Sequence, residues 1–287
     1  MASSITSYSN LLAFLLTTLF YYLALKPSLK LEDLSVPNLY DSYVGLSYKY
    51  LAIYFLIIIL IQIIINVGTI SSMCGGAITQ NIGYSSLITL LPWTFIFGVL
   101  IVVLAIYPGF RKIFGDVIGY FFISSSANKI LVELLINKDI QKNIDKDTTI
   151  PQEERARMQD AADMIIKICG NTSILINQFT PTNFLEYWNL MKPLMKSKYD
   201  NGTSADALDM QQQLFELVLT KDNIGEATWY IYTGILLVSF VQLKISSRGC
   251  INNSATQQAN YASFLANEKE VSDKKQQTQS TVYTISS

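Results

Sequence analysis

The chain has no histidine among its 287 residues, three cysteines, and only 15% charged residues. The missing histidine removes the commonest general base, the usual serine and cysteine triads, and imidazole metal sites. Three cysteines are too few for a disulfide framework. Soluble domains carry about 25% charged residues, so much of this chain need not face water. Twenty-one basic residues against 22 acidic leave a net charge of −1, which argues against a nucleic-acid partner. Carboxylates and lysines remain, but they form no paired catalytic motif and no metal-ligand spacing. The expectation is a non-enzymatic protein without cofactors or metal.

What is present is apolar. Half the residues are hydrophobic and the mean hydropathy is +0.30. About 20 apolar residues in a helix cross a hydrocarbon core of roughly 30 Å. Four stretches approach this length: Tyr8–Leu25, Leu51–Ile70, Leu87–Tyr107 and Ala227–Leu243. The second and third contain no charged residue. The first reads as an anchor rather than a cleaved signal, because Met1-Ala-Ser-Ser carries no basic side chain and Tyr21-Tyr22 replaces a small-residue cleavage site. Lys26-Pro27 and Pro108-Gly109 stop the first and third runs.

Four spans return the C-terminus to the side of the N-terminus. Lys26, Lys30, Lys49, Arg111, Lys112 and Lys221 flank the spans on the opposite side, against Lys244 and Arg248 on the first. The positive-inside rule then makes both termini lumenal. Tyr21, Tyr22, Tyr48, Tyr50, Tyr107, Trp229, Tyr230 and Tyr232 would form the cytoplasmic aromatic belt; Tyr8, Tyr84 and Trp93 fall towards the other face. Cys74 and Cys250 both follow spans onto the lumenal side and are a candidate disulfide, while Cys169 stays apart. Gln62 and Asn66 lie four apart, hence on one helix face. They serve either a polar path or hydrogen bonding between helices. Gly98 and Gly234 are expected at close helix contacts.

Between the third and fourth spans, residues 111–226 read as a small helical domain. Ala127–Asn143 has a helical apolar period, Pro151 opens a helix that Gly170 stops, Thr180-Pro181 opens another through Phe184, Leu185, Trp188, Leu190 and Met191, and Ala205–Leu219 supplies a further one. Its carboxylates read as a solvated face. After Cys250 the chain turns rich in Asn, Gln, Ser and Thr and reads as a flexible tail. Sequons stand at Asn171, Asn201 and Asn252, of which only Asn252 lies on the expected lumenal side.

Three stretches share a pattern. Pro92-Trp93 through Gly98 runs into Pro108-Gly109-Phe110 and then Gly119-Tyr120. Gly170-Asn171 follows with Asn177-Gln178 and Asn183-Phe184. Trp229-Tyr230, Gly234 and Gly249-Cys250 close it. Over roughly residues 50–250 the chain resembles multi-span membrane proteins and membrane-associated minor capsid proteins of nucleocytoplasmic large DNA viruses, such as the phycodnavirus, marseillevirus and mimivirus groups. The resemblance implies a structural virion protein that anchors the inner membrane to the minor capsid layer. Its partners would be the bilayer, other minor capsid proteins and the major capsid protein, in a membrane derived from host endoplasmic reticulum. The competing reading is a channel or transporter subunit with Gln62 and Asn66 facing a polar path.

The expected architecture is therefore mainly α. A membrane region over 1–110 has spans 8–25, 51–70 and 87–107. A helical extramembrane domain over 111–226 is inserted before a fourth span, 227–245, and a polar tail, 246–287. Thiol labelling of sealed, cytoplasmic-side-out membranes checks the orientation. Cys74 should stay unlabelled until permeabilisation; labelling beforehand reverses the topology.

Overall fold

A computed structural model describes residues 2–74, 78–135, 171–196, 198–199, 204–248 and 254–280. These residues are mainly helical, with no strand among them. Helix α1 spans Ala2–Phe20 and continues into a π-helical end, Tyr21–Leu25. A 3₁₀ turn, Glu32–Ser35, leads to α2, Pro37–Cys74. Val36 is extended (φ −125°, ψ 107°), as a residue before proline prefers, and Pro37 needs no N–H at the first helical position. Helix α3 is Ile78–Pro92 and α4 is Val99–Ile106. A π segment, Trp93–Gly98, joins them. Pro92 has no N–H for the preceding turn, and the wider helix begins at the next residue. Tyr107 leaves the helical region (φ −116°, ψ 84°) ahead of Pro108, which opens α5, Pro108–Phe114. A third π segment, Gly115–Gly119, leads into α6, Tyr120–Leu135.

The remaining elements are α7 (Thr172–Gln178), α8 (Phe184–Met191), α9 (Ala205–Arg248) and α10 (Ser254–Ser280). Helix α7 is capped by Asn171, whose Oδ1 accepts from the Ile174 N–H. Thr180-Pro181 sits in the turn before α8, and Asn183 Oδ1 accepts from the Thr180 N–H there. The expected helix after Pro151, part of the one after Ala127, and Asn201 and Asn252 lie outside the described residues, as do Cys169 and Cys250 and hence the pairing of Cys74 with Cys250. The polar stretch expected to be a flexible tail is helical over Ser254–Ser280, with Tyr261, Phe264, Leu265 and Val271 exposed.

Among the described residues five helical stretches, not the expected four, are long and apolar enough to cross a membrane: Tyr8–Leu25, Pro37–Met73, Asn81–Ile106, Pro108–Leu135 and Ala205–Ser247. The additional one falls in the segment expected to be extramembrane, where Arg111, Lys112, Asp116, Lys129 and Glu133 break the apolar run. The expected boundary at residue 227 is not a break either. Helix α9 runs 44 residues, about 66 Å at 1.5 Å per residue, so it carries the fourth span and the helix expected over Ala205–Leu219 as one rod.

Two cores are threaded on that rod. Ala207, Leu214, Phe215 and Val218 of α9 pack with Ile123, Leu131 and Leu134 of α6, Ile176 of α7, and Phe184, Trp188 and Met191 of α8. Leu190 of the expected apolar face points outward. Further along, Tyr230, Leu237 and Val238 pack with Phe14 of α1, Tyr54 and Ile58 of α2, and Trp93 and Phe97 of the π segment. Around this second core Leu16, Leu60, Ile64, Phe95, Val102, Leu236 and Leu243 face outward and exposed. A soluble surface rarely carries so much contiguous apolar area; a bilayer covers it.

Small residues let α9 approach α5 and α6. A Cβ at Gly225 would meet the Gly115 N at 2.8 Å and the Arg111 carbonyl, and one at Gly119 would meet the Lys221 carbonyl at 2.6 Å. Backbone cannot move aside as a side chain can. Gly225→Ala should therefore cost about 1–3 kcal/mol, read as a lower unfolding temperature in detergent. Gly45→Ala, where a Cβ meets open space within α2, should instead gain about 0.5–1 kcal/mol.

Candidate functional site

Where the two cores meet, α9 carries Lys221, Asp222, Glu226 and Tyr230. Asp222, Glu226 and Tyr230 recur every four residues and so share a face. All four are buried. Lys26, just past the π end of α1, pairs with Glu226 Oε2, which also accepts from the Tyr22 hydroxyl at 3.1 Å. The Tyr230 hydroxyl donates to Oε1 at 3.1 Å. Both oxygens of this carboxylate are thus engaged. Arg111 of α5 donates from Nη1 to Asp222 Oδ2 at 2.7 Å.

The Lys221 ammonium reaches towards the Gly115–Gly119 segment and α7. It donates to Asp116 Oδ1 at 2.8 Å, to the Ile176 carbonyl at 3.2 Å and to Asn177 Oδ1 at 3.3 Å. These are all three of its hydrogens, which is what lets an ammonium remain buried. Asn177 Nδ2 in turn donates to the Asp116 carbonyl at 3.2 Å. Three ion pairs therefore tie the end of α1, α5 and the Gly115–Gly119 segment to one stretch of α9, and two hydrogen bonds from Lys221 add α7.

The reading of the carboxylates as a solvated face holds for Glu133, Glu186, Asp206, Asp209 and Glu216, which are exposed, but not at this junction. Asp222 and Glu226 are buried, and Asp116 is paired with a buried lysine. Lys26, Arg111 and Lys221, counted above as membrane-flanking cations, are their partners. The pairs join residues 200, 111 and 105 positions apart, so no local motif marks them. The visible signal was the spacing Asp222, Glu226, Tyr230 at the edge of an apolar run, where charge has no reason to sit unless something meets it.

A second polar group lies deeper. Asn66 Oδ1 accepts from Asn10 Nδ2 at 3.1 Å and from Gln242 Nε2 at 3.0 Å, and its own Nδ2 donates to Thr89 Oγ1 at 2.9 Å. Gln62 Nε2 donates to the Asn10 carbonyl at 3.1 Å. Four helices, α1, α2, α3 and α9, meet at this amide. Gln62 and Asn66 are each 1% exposed and joined to neighbouring helices, the arrangement expected of interhelical hydrogen bonding.

The residues singled out by the shared pattern fall close to these contacts. Trp93 is fully buried, 5.6 Å from Phe14 and 5.2 Å from Phe97 between ring centres. Gly98 faces Phe55, and Gly234 faces the Phe14 ring. Trp229 donates from Nε1 to the Phe110 carbonyl at 2.8 Å and packs on Phe114. Pro108 borders a small polar pocket with Lys26 and Arg111, while Tyr120 packs against the core of α6 to α9. Among the described glycines of the pattern, Gly109 alone has open space about it. Among the described residues no three metal-ligating side chains converge. Comparisons with family models, curated proteins and solved structures gave no match.

Removing one partner of a buried pair leaves an uncompensated charge. Glu226→Ala should cost about 3–5 kcal/mol in chemical unfolding of the detergent-solubilised chain. Lys196→Ala, which breaks the half-exposed pair with Glu133, should cost less than about 1 kcal/mol. Equal losses would show that the buried pair is not what joins the helices.

Proposed function

We propose that the chain is a structural integral membrane protein of a large DNA virus virion, anchoring the inner membrane to the minor capsid layer. The observation that carries this reading is α9. One unbroken helix contributes to the core shared with α6, α7 and α8 and to the core shared with the apolar helices. Buried ion pairs fix the junction between them. Such a joint holds a helical head rigidly at a bilayer, as an anchor requires. The resemblance to viral membrane and minor capsid proteins supplies the biological setting: a multi-pass protein of a membrane derived from host endoplasmic reticulum, with Pro108–Leu135 packed in the head rather than across the bilayer and both termini lumenal. The helical segment 111–226 would face the shell, touching other minor capsid proteins and the major capsid protein. The role needs no enzyme chemistry, cofactor or nucleic acid.

Fractionation of purified virions tests this. After mild detergent removes the membrane, the chain should remain with the capsid shell. Complete release with the lipid, together with ion flux from chain-loaded liposomes, would favour a channel.

A further inference from the structure

Two neighbouring cavities differ sharply in character. The larger, about 730 Å³, is an apolar groove between α2 and the α3–α4 helix. Tyr48, Ala52, Phe55, Phe95, Gly98 and Val102 form much of its wall. All lie in stretches apolar enough to cross a membrane. The smaller, about 140 Å³, is bordered by Lys26, Tyr43, Ser47, Arg111, Asp222 and Glu226. Tyr48, Leu51 and Ala105 belong to both walls, so the groove and the polar pocket adjoin.

The pocket holds an unanswered donor. Arg111 gives one N–H to Asp222 from Nη1, but its Nε is buried and has no hydrogen-bond partner among the described residues. A buried donor without an acceptor is costly, by about 1–3 kcal/mol. A guanidinium also prefers anionic oxygens, which its fork engages in pairs. The pocket is smaller than the roughly 300–1,000 Å³ of a cavity for a drug-sized ligand, so it admits a compact group rather than a whole molecule.

We propose that this pair of cavities is a phospholipid site. One acyl chain lies along the α2–α4 groove, and a phosphate oxygen accepts from Arg111 Nε, while Lys26 and Arg111 stay paired with Glu226 and Asp222. The apolar groove and the polar pocket share a wall, as the tail and headgroup of a phospholipid need. In a bilayer the molecules already surrounding the groove are phospholipids. Tyr48, at the shared wall, belongs to the tyrosines expected at headgroup depth. The inference requires that the chain span a bilayer and is independent of any capsid contact.

The test uses the full chain, purified in detergent and reconstituted in nanodiscs containing phosphatidylglycerol and phosphatidylcholine. Native mass spectrometry counts the phospholipid retained after detergent exchange. The wild-type chain should keep tightly bound phospholipid. Arg111→Lys preserves the charge facing Asp222 but removes the Nε–H, and should lower retention about tenfold, as loss of a charged hydrogen bond predicts. Ala52→Trp, which fills the groove from an exposed position, should do the same. Leu243→Trp, on another exposed face, should not. If Arg111→Lys fails to fold, Ala52→Trp against Leu243→Trp still decides.

Equal retention in all variants would overturn the site. So would displacement of bound phospholipid by inorganic phosphate alone, which would make the pocket an anion site. Crosslinked pairs of chains that Ala52→Trp abolishes, without any change in bound lipid, would make the groove an interface between copies and overturn the proposal. Loss of lipid from virions whose chain still stays with the shell would separate this inference from the anchoring role.

Discussion

A carboxylate at the edge of an apolar segment must be met by something. Glu226 sits on a helix that on one side enters a core of Trp93, Phe97 and Tyr230 and on the other a core of Phe184, Trp188 and Phe215. Stripping water from an isolated carboxylate costs several kcal/mol even after relaxation. That demand draws Lys26 and the Tyr22 hydroxyl to α9, and with them the end of α1. Arg111 and Asp222 add the start of α5, and Lys221 with Asp116 adds the turn leading to α6. Buried pairs are poor sources of net stability, but they are intolerant of misplacement. They specify which helix lies where.

The small residues and the charges cooperate. Ion pairs between long side chains can span a gap, yet here the backbones touch. Gly225 lies on Gly115 and Arg111, and Gly119 lies on Lys221. Close backbone approach is the usual device for joining helices where lipid removes the hydrophobic incentive. It also shortens the reach required of Arg111 and Lys221. The Asn66 hub repeats the logic deeper, with neutral amides replacing charge where charge would be most expensive.

Much of the helical architecture was legible in the sequence, because long apolar runs without turn signals leave few alternatives to helix. Pro108 declares a helix end through its own missing N–H and its effect on Tyr107. Gly98 and Gly234 were correctly expected at close contacts. Composition windows did not reveal that the span beginning near Ala227 and the helix beginning at Ala205 are one element. The charges that seemed to separate them are buried and paired, so they interrupt hydropathy without interrupting the helix. The ionic junction was illegible for a related reason: each pair joins residues more than 100 positions apart. The fifth candidate span, Pro108–Leu135, is disguised by scattered ionic residues, although its average is still apolar.

The separation between Lys26 and Glu226 also dictates an order of assembly. At about 5–20 residues per second, the 200 positions between them take roughly 10–40 s to synthesise. Throughout that interval the first helix waits with its lysine unanswered, and α2, α3 and α4 have no α9 to close upon. Helix α9 is therefore the keystone of the bundle. A ribosome that stalls before reaching it leaves α1, α2 and α3 joined through the Asn66 amide but Lys26 unanswered, a species that membrane quality control could distinguish from the finished protein by its unpaired charge.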